Sequence, residues 1–239
     1  MTNELILLIS LAGIFGCVLL TLRVFGRTGL YVFSTIATIL ANIEVMILVD
    51  AFGMEMTLGN ILFASTFLVT DILSELYGKK SAQKAVNLGI AGSVFFLLVS
   101  QSWLLYLPSA SDWAMPSMRA LFTNTPRLLL ASLLVYALAQ TFDVWLYHSW
   151  WAFTTRRFGD SERFLWVRNN GSTLVSQLLN TLLYSIFAFV GVYPLDTLIS
   201  IVLSSYIIFV FTSLADTPVI YAARLLKRRG LIADAKGSN

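Results

Sequence analysis

The chain has 239 residues, of which 57% are hydrophobic and only 12% are charged, with 16 Lys and Arg against 13 Asp and Glu. A soluble globular domain usually carries about 25% charged residues, so this chain, whose mean hydropathy is +0.78, has too little polar sequence to cover a water-facing surface. A single cysteine and a single histidine argue against a disulfide framework and against a zinc site. The composition predicts an integral membrane protein.

Seven stretches are long and apolar enough to cross a bilayer, since a span needs about 20 mostly apolar residues. None has the alternating pattern of a barrel strand, so all seven are predicted to be α-helices. Arg23 and Arg27 follow the first apolar run instead of preceding it, so we expect that run to be a retained helix and not a signal peptide. The short loops leave room for one membrane domain, residues 1–239, with a basic tail at 224–239. The predicted spans are 5–22, 29–49, 57–78, 82–107, 127–153, 171–192 and 197–223.

The distribution of basic residues predicts the orientation of these spans. Fourteen of the 16 Lys and Arg residues fall on one side of a seven-span chain, in the loops after spans one, three and five and in the C-terminal tail. Loops rich in Lys and Arg stay in the cytoplasm. We therefore expect the N-terminus outside and the C-terminus in the cytoplasm. These basic residues on the cytoplasmic rim explain the pI of about 9.1 without a nucleic-acid partner, and they can contact anionic lipid headgroups.

Polar and aromatic residues recur along five spans at offsets of three and four, which places them on one face of each helix. Five such faces imply either a shared hydrated cavity or a densely hydrogen-bonded core. The striped faces are Thr35, Thr38 and Asn42 in the second span; Asn60, Phe67, Asp71 and Glu75 in the third; Tyr136, Gln140, Asp143 and Tyr147 in the fifth; Thr173, Gln177, Asn180 and Tyr184 in the sixth; and Ser205, Phe209, Thr212 and Asp216 in the seventh.

Carboxylates within spans are the strongest functional candidates, because an ionised one at mid-helix costs about 2.5–3.5 kcal/mol. Helical rise places Asp71 about 21 Å and Asp143 about 24 Å from the outer surface, and Asn180 about 13 Å from the inner surface. We expect these three residues to meet slightly to the cytoplasmic side of the midplane, where transporter sites tend to lie. Asp216 is expected to pair with the basic tail, which begins near Arg224.

Asp71 and Glu75 lie one helical turn apart, and two ionised groups so close repel each other in a low dielectric. One of them is therefore expected to be protonated or paired with a cation such as Lys79. We assign Asp71 to the cavity, and Glu75 to gating or proton handling near the cytoplasmic mouth. Glu44 points to the opposite face of its helix from Asn42, so that a neighbouring helix, or a partner subunit in a homodimer, would have to cover it.

Four segments resemble the signatures of the queuosine precursor transporters, also called the vitamin uptake transporter family, over roughly residues 30–225. The longest is the run TFLVTDILSELYGKK at 66–80. The others, in the family's order, are Ala131-Ser132 followed by QTFDV at 140–144, then Trp166-Val167-Arg168 followed by Ser172, Ser176 and Gln177, and finally Thr217-Pro218. Asn180 stands where the family often has Asp, and Phe209 or Val210 stands where many members have Lys. These two differences suggest either the compensated loss of an ion pair or an altered substrate preference.

The resemblance implies a multi-pass protein of the bacterial cytoplasmic (inner) membrane that imports a 7-deazapurine: the cyano or aminomethyl 7-deazaguanine, or queuine. A carboxylate can accept both N–H donors of a guanine-like edge, an amide can donate to its carbonyl oxygen, and an aromatic ring can stack on the base. The predicted substrate-binding residues are therefore Asp71, Asp143, Gln140, Gln177, Asn180, Phe67, Tyr136, Tyr184 and Asn42.

Three functions remain open at this point. The first is a secondary transporter or facilitator, and the alternative is a substrate-capture subunit of an ATP-driven vitamin uptake system. The third is an intramembrane enzyme. The sequence has neither a nucleophile–base pair nor a set of metal ligands for such an enzyme, so we expect no catalytic activity, no metal and no cofactor. The sequence contains no G-x-x-x-x-G-K-[ST], so the chain itself does not hydrolyse nucleotide through a P-loop.

Overall fold

A computed structural model describes residues 2–123, 126–189, 191 and 194–233 of the chain. Within them, six helices are long and apolar enough to cross a membrane, whereas the eight-residue α4 is too short. The predicted class, an all-α membrane protein, is confirmed. The helices are α1 Asn3–Glu44, α2 Gly59–Tyr77, α3 Lys79–Trp103, α4 Met115–Phe122, α5 Pro126–Phe158, α6 Leu165–Phe189 and α7 Leu195–Arg228.

Helix α1 contains the first two predicted spans, which meet at Gly26, where φ is 58° and ψ is −141°. These angles are not helical. A straight helix of 42 residues would separate its two ends by about 63 Å. Instead, the side-chain amide of Asn3 donates to the backbone carbonyl of Asp50, shortly after the helix ends at Glu44, over 2.9 Å. The chain therefore reverses its direction at Gly26, and the helices cross the bundle seven times.

A β-hairpin follows α1, and the sequence pattern did not predict it. Strand β1, Leu48–Ala51, pairs antiparallel with β2, Met54–Thr57, and Phe52 and Gly53 form the turn with positive φ angles of 54° and 73°. The second span was predicted to continue to residue 49, because a short apolar run does not distinguish strand from helix. Glu44 is therefore the last residue of α1. Its place at a helix end accounts for the charge without a partner subunit.

The helices and the predicted spans differ in length mainly at the end rich in basic residues. Helix α5 continues to Phe158, α6 begins at Leu165 and α7 continues to Arg228, each beyond the predicted apolar stretch. Lys and Arg are good helix formers, so these helices continue where the hydrophobic signal stops. The predicted end of the sixth span at 192 and residues 234–239 of the predicted basic tail lie outside the described residues.

Helix α2 is the central helix, because nearly all of its residues are buried and it packs against α1, α3, α5 and α7. Helix α6, which packs against α5 and α7, buries mainly polar side chains and exposes apolar ones. A polar inner face and an apolar outer face suit a helix that contacts lipid on one side and a polar interior on the other. The outer face of α6 consists of Val175, Leu178, Leu182 and Ile186.

The bundle has two ends that differ in structure. The hairpin end contains the N-terminus of α1, the β1–β2 hairpin and the start of α7. The tail end contains the α5–α6 loop and the last turn of α7, where Arg228 pairs with Glu162. In that loop the backbone N–H groups of Glu162 and Arg163 donate to Asp160 Oδ1 and hold the pKa of Asp160 below its usual value. The two ends of the described chain thus lie at opposite ends of the bundle.

Candidate functional site

A cavity of about 60 Å³ lies between the end of α1 and helices α2, α5, α6 and α7, in the half of the bundle nearer the hairpin end. A wider vestibule of about 710 Å³ shares Thr57, Tyr184 and Ser205 with the cavity and extends to the hairpin. The cavity therefore opens towards the hairpin end. Its polar and aromatic lining consists of Asn60, Asn180, Thr57, Ser132, Thr181, Ser185, Ser205, Tyr184, Phe63, Phe189 and Phe209.

One face of α2 connects this cavity to the rest of the polar interior. Asn60, Phe63, Phe67, Asp71 and Glu75 follow one another at offsets of three and four, so they form a single column on the helix. Helical rise spreads the column over about 22 Å. Moving along α2 from the hairpin end, the interior therefore changes from a cavity to aromatic rings, then to carboxylates, and finally to ion pairs.

The aromatic cluster closes the cavity towards the tail end. The ring of Phe63 lies 5.6 Å from that of Phe67, 6.0 Å from that of Tyr136 and 6.4 Å from that of Phe209, measured between centroids. Phe67 and Tyr136 are almost completely buried. Edge-to-face packing of this kind adds to the stabilisation from burial alone. We call Phe63, Phe67, Tyr136 and Phe209 the aromatic floor.

Several of the amide side chains predicted to bind substrate hydrogen-bond to the bundle itself. Gln140 donates from Nε2 to Thr66 Oγ1 over 2.6 Å and accepts from Thr70 Oγ1 over 3.2 Å. Asn42 accepts a hydrogen bond from the hydroxyl of Ser132. The aligned polar faces were expected to form either a shared cavity or a hydrogen-bonded core. In the structure, the half of the bundle near the hairpin contains a cavity, and the other half is a hydrogen-bonded core.

Three buried aspartates from different helices form a layer below the aromatic floor, which we call the carboxylate layer: Asp71, Asp143 and Asp216. Thr173 donates to Asp71 Oδ2 over 3.0 Å, and Asn169 donates to Asp216 Oδ1 over 2.8 Å. The expected pairing of Asp216 with the basic tail is therefore wrong. Its side chain lies on the inward face of α7, where Asn169 of α6 reaches it.

Glu75 lies at the centre of a buried ion cluster near the tail end. Arg168 reaches it from α6 with Nη2 2.8 Å from Oε2, and Arg224 reaches it from α7 with Nε 3.0 Å from Oε1. Tyr147 donates its hydroxyl to Oε2 over 2.7 Å. The expected partner Lys79 does not form this ion pair, because α2 ends at Tyr77 and Lys79 already belongs to α3. We call Glu75, Arg168, Arg224 and Tyr147 the Glu75 cluster.

The structure divides the predicted substrate-binding residues into three groups. Asn180 and Tyr184 line the cavity, while Phe67, Tyr136, Asn42 and Gln177 contact residues of its wall. Gln140, Asp71 and Asp143 lie deeper, outside the lining. Asn60, Ser205 and Phe209 also line the cavity; the sequence placed them on the inward polar faces but did not predict that they bind substrate. The lining residue Phe63 was not singled out from the sequence. Helical spacing could have found Phe63, which lies between Asn60 and Phe67 on the same face of α2.

Comparison with known proteins identifies the family. The family model described as "Putative vitamin uptake transporter" matches residues 57–223. The chain belongs to the vitamin uptake transporter family. A protein of Bacillus subtilis (strain 168) described as "Probable queuosine precursor transporter" is 41% identical to it over 207 residues, which cover 87% of this chain and 88% of that protein. No solved structure matches the chain.

Family membership confirms the resemblance drawn from the sequence segments. The run at 66–80, the patch around Asp143 and the patch around Arg168 all lie within the matched residues. In the structure these segments supply the carboxylate layer and the Glu75 cluster. This member of the vitamin uptake transporter family is accordingly a multi-pass membrane protein, and its signature residues lie in the polar interior.

Proposed function

We propose that the protein imports queuosine precursors, meaning the cyano or aminomethyl 7-deazaguanine or queuine, as a secondary transporter or facilitator. The observation that carries this proposal is the chemistry of the cavity, whose lining combines two amides, six hydroxyls and four aromatic rings. The vestibule that the cavity joins has a volume of about 710 Å³, which suits a small ligand, since ligand pockets hold about 300–1,000 Å³. The name of the Bacillus subtilis relative points to the same class of compound.

A flat heterocycle with hydrogen-bond donors and acceptors along its edge is complementary to the wall of the cavity. The amides of Asn60 and Asn180 can each donate and accept, so they can pair with both kinds of edge atom. Phe63 and Phe209 offer apolar ring surface against which a base can stack. Asn180, which departs from the family pattern, and Phe209, one of the two candidates with Val210 for the second departure, line the same cavity. Their proximity supports the interpretation that together they replace an ion pair present in other members.

Within the described residues, the cavity opens towards the hairpin end. The vestibule and the cavity connect to the hairpin end, whereas the aromatic floor, the carboxylate layer and the Glu75 cluster separate the cavity from the tail end. In the predicted orientation the hairpin end faces outside. Substrate would then enter the cavity from outside. Import would require the aromatic floor, the carboxylate layer and the Glu75 cluster to separate. Gating by Glu75 is part of this proposal.

A cellular assay tests the proposed substrate class. Cells that cannot make queuosine precursors are supplied with a trace of one precursor or of queuine, and queuosine in their tRNA is measured with and without this protein. We expect queuosine to appear only when the protein is present. If no compound restores the modification although the protein is found in the membrane, the proposal is wrong.

Reconstitution separates a transporter from a capture subunit. Purified protein in liposomes is supplied with labelled substrate and no ATPase. A transporter or facilitator takes up the label, whereas a capture subunit binds it without moving it across the bilayer. The same preparation reports the oligomeric state, because a homodimer stays a prediction that neither the fold nor the comparisons support.

A further inference from the structure

Asp71 and Asp143 lie side by side in the carboxylate layer, with the hydroxyl of Thr173 beside Asp71 and those of Ser172 and Ser176 beside Asp143. Both are almost completely buried, at 1% and 0% exposure. Oδ1 of Asp71 and both carboxylate oxygens of Asp143 have no hydrogen-bond partner among the described residues. Ionised carboxylates only accept hydrogen bonds, so two of them placed together cannot satisfy each other. A proton on either one would supply the missing donor.

A second observation comes from neighbouring side chains that also lack partners. The hydroxyl of Ser176 is fully buried beside Asp143, and it has no hydrogen-bond partner among the described residues. Asn169 holds Asp216 through its amide nitrogen, while its amide oxygen is buried and likewise without a partner there. Buried polar groups are normally paired, so each exception needs an explanation. Five of these atoms belong to the carboxylate layer and the residues beside it: Oδ1 of Asp71, both carboxylate oxygens of Asp143, the hydroxyl of Ser176 and the amide oxygen of Asn169.

No ion pair compensates for these carboxylates. Among the ion pairs of the described residues, none includes Asp71, Asp143 or Asp216. The buried cations nearby, Arg168 and Arg224, are both bound to Glu75. The titratable and charged side chains around the pair are Asp216 and Arg224 on α7, Tyr147 and His148 on α5, Arg168 on α6 and Glu75 on α2. On α1 and α3 the basic side chains Arg27 and Lys84 lie over the rings of Tyr77 and Tyr31.

We propose that Asp71 and Asp143 form a proton-binding site that couples substrate import to the proton gradient. This inference rests on the proposed transport function. One proton from the hairpin side binds a carboxylate oxygen, forming an O–H bond that lets one carboxyl donate to the other. The same O–H bond breaks when the proton leaves on the tail side, so one proton moves with each cycle and no other bond changes. Glu75, held by two arginines, is then not the proton carrier.

The site is separate from the substrate cavity. Neither Asp71 nor Asp143 lines the cavity, and the aromatic floor lies between. Phe63 and Asp71 are eight residues apart on α2, which corresponds to about 12 Å along the helix. Neutralising one carboxyl removes part of the cost of an ionised group within the membrane. Proton binding would therefore favour rearrangement of the aromatic floor, the carboxylate layer and the Glu75 cluster.

Uptake into liposomes tests the coupling. If one proton moves with each substrate, a gradient of one pH unit, acid outside, should drive up to about tenfold accumulation of substrate. A tenfold ratio of proton concentrations across the membrane has the same free energy as a tenfold ratio of substrate concentrations. Asp143→Asn and Asp71→Asn should abolish this accumulation. Asp196→Asn, which makes the same change at an exposed position in the first turn of α7, should behave like the wild type.

Three outcomes overturn the inference. The first is accumulation driven by a sodium gradient but not by a pH gradient. The second is uptake by the wild type that responds to neither gradient. The third is loss of exchange as well as accumulation in the folded Asp71→Asn protein, which would show that this carboxylate binds the substrate edge.

A measurement without substrate keeps the proton site testable if transport itself is absent. Infrared spectra of the purified protein should contain the C=O stretch of a protonated carboxylic acid, which weakens as the pH is raised. Asp143→Asn should remove or shift that band, and Asp196→Asn should not. If the band is present but no 7-deazapurine is taken up, the proposed function is wrong and the proton site stands. If Asp143→Asn leaves the band unchanged, the site is wrong.

Discussion

Arg168 on α6 binds both carboxylate oxygens of Glu75 on α2, with Nη2 2.9 Å from Oε1 and 2.8 Å from Oε2. The side chains are 0% and 3% exposed, respectively. Trp151 covers the guanidinium of Arg168, with its ring centre 4.3 Å away. Together with Arg224 from α7, this contact joins three helices of the polar interior at the tail end. Removing one member of a buried ion pair leaves an uncompensated charge, so the contact has testable consequences.

Glu75→Gln should destabilise the protein strongly, because it leaves Arg168 and Arg224 without their counter-ion. Breaking a buried pair typically costs about 3–5 kcal/mol. Thermal unfolding of the purified protein measures the effect. Glu162→Gln is the matched control: Glu162 pairs with Arg228 at the surface, and such pairs contribute about 0–1 kcal/mol. Equal melting temperatures for the two variants would contradict a structural role for the Glu75 cluster.

Gly26→Ala should also destabilise the protein, through the backbone. The φ of 58° and ψ of −141° at Gly26 lie in a region that is unfavourable for residues with a Cβ, and such strain costs about 1–3 kcal/mol. Gly16→Ala is the control, since Gly16 is helical and a Cβ there meets nothing within 4 Å. We expect a lower melting temperature only for Gly26→Ala. An unchanged melting temperature for Gly26→Ala would show that the reversal of α1 does not require glycine at position 26.

The sequence predicts which helix faces turn inward better than it predicts which residues pair. Helical spacing placed Asp71, Asp143 and Asn180 on inward faces, because periodicity is a local property. It did not reveal that Glu75 binds Arg168, since the two residues are 93 positions apart and no local pattern connects them. The hairpin was missed for a related reason, because the apolar residues of β1 continue the pattern of the preceding span.

The termini should lie on opposite sides of the membrane, with the C-terminus in the cytoplasm. The structure places the N-terminus of α1 at the hairpin end and Arg228 at the tail end. The excess of basic residues at the tail end predicts that this end is cytoplasmic. A reporter fused after Gly230 should therefore be active in the cytoplasm, and a tag inserted in the turn at Phe52–Gly53 should be accessible from outside. A tail reporter active outside the cell would contradict this orientation.

Asn180→Ala should weaken substrate binding without unfolding the protein. Its side chain lines the cavity and donates to Gln177 Oε1 over 3.3 Å. An unpaired polar group on the bound substrate would cost about 1–3 kcal/mol, which corresponds to a roughly 5- to 150-fold higher Kd. Asn87→Ala removes the same side chain from an exposed position on α3 and should bind normally. Equal affinities for the two variants would show that the substrate does not contact Asn180.

Asn180→Asp should change which precursor is preferred. No carboxylate lines the cavity within the described residues, so its wall is neutral and favours the uncharged cyano compound over the aminomethyl compound. The aminomethyl group is a primary amine and is protonated at neutral pH. A carboxylate at position 180 would pair with that cation across the cavity, because close charge pairs at buried sites favour binding.

We therefore expect Asn180→Asp to shift the ratio of affinities by at least about tenfold towards the aminomethyl compound, or about 1.4 kcal/mol. Competition between the two compounds for uptake measures this ratio directly. Asn60→Asp, on the opposite helix of the same cavity, tests whether the effect depends on position or only on added charge. A ratio that is unchanged in Asn180→Asp would place the 7-substituent away from Asn180. It would also leave the departure from the family pattern at this position without a role in selectivity.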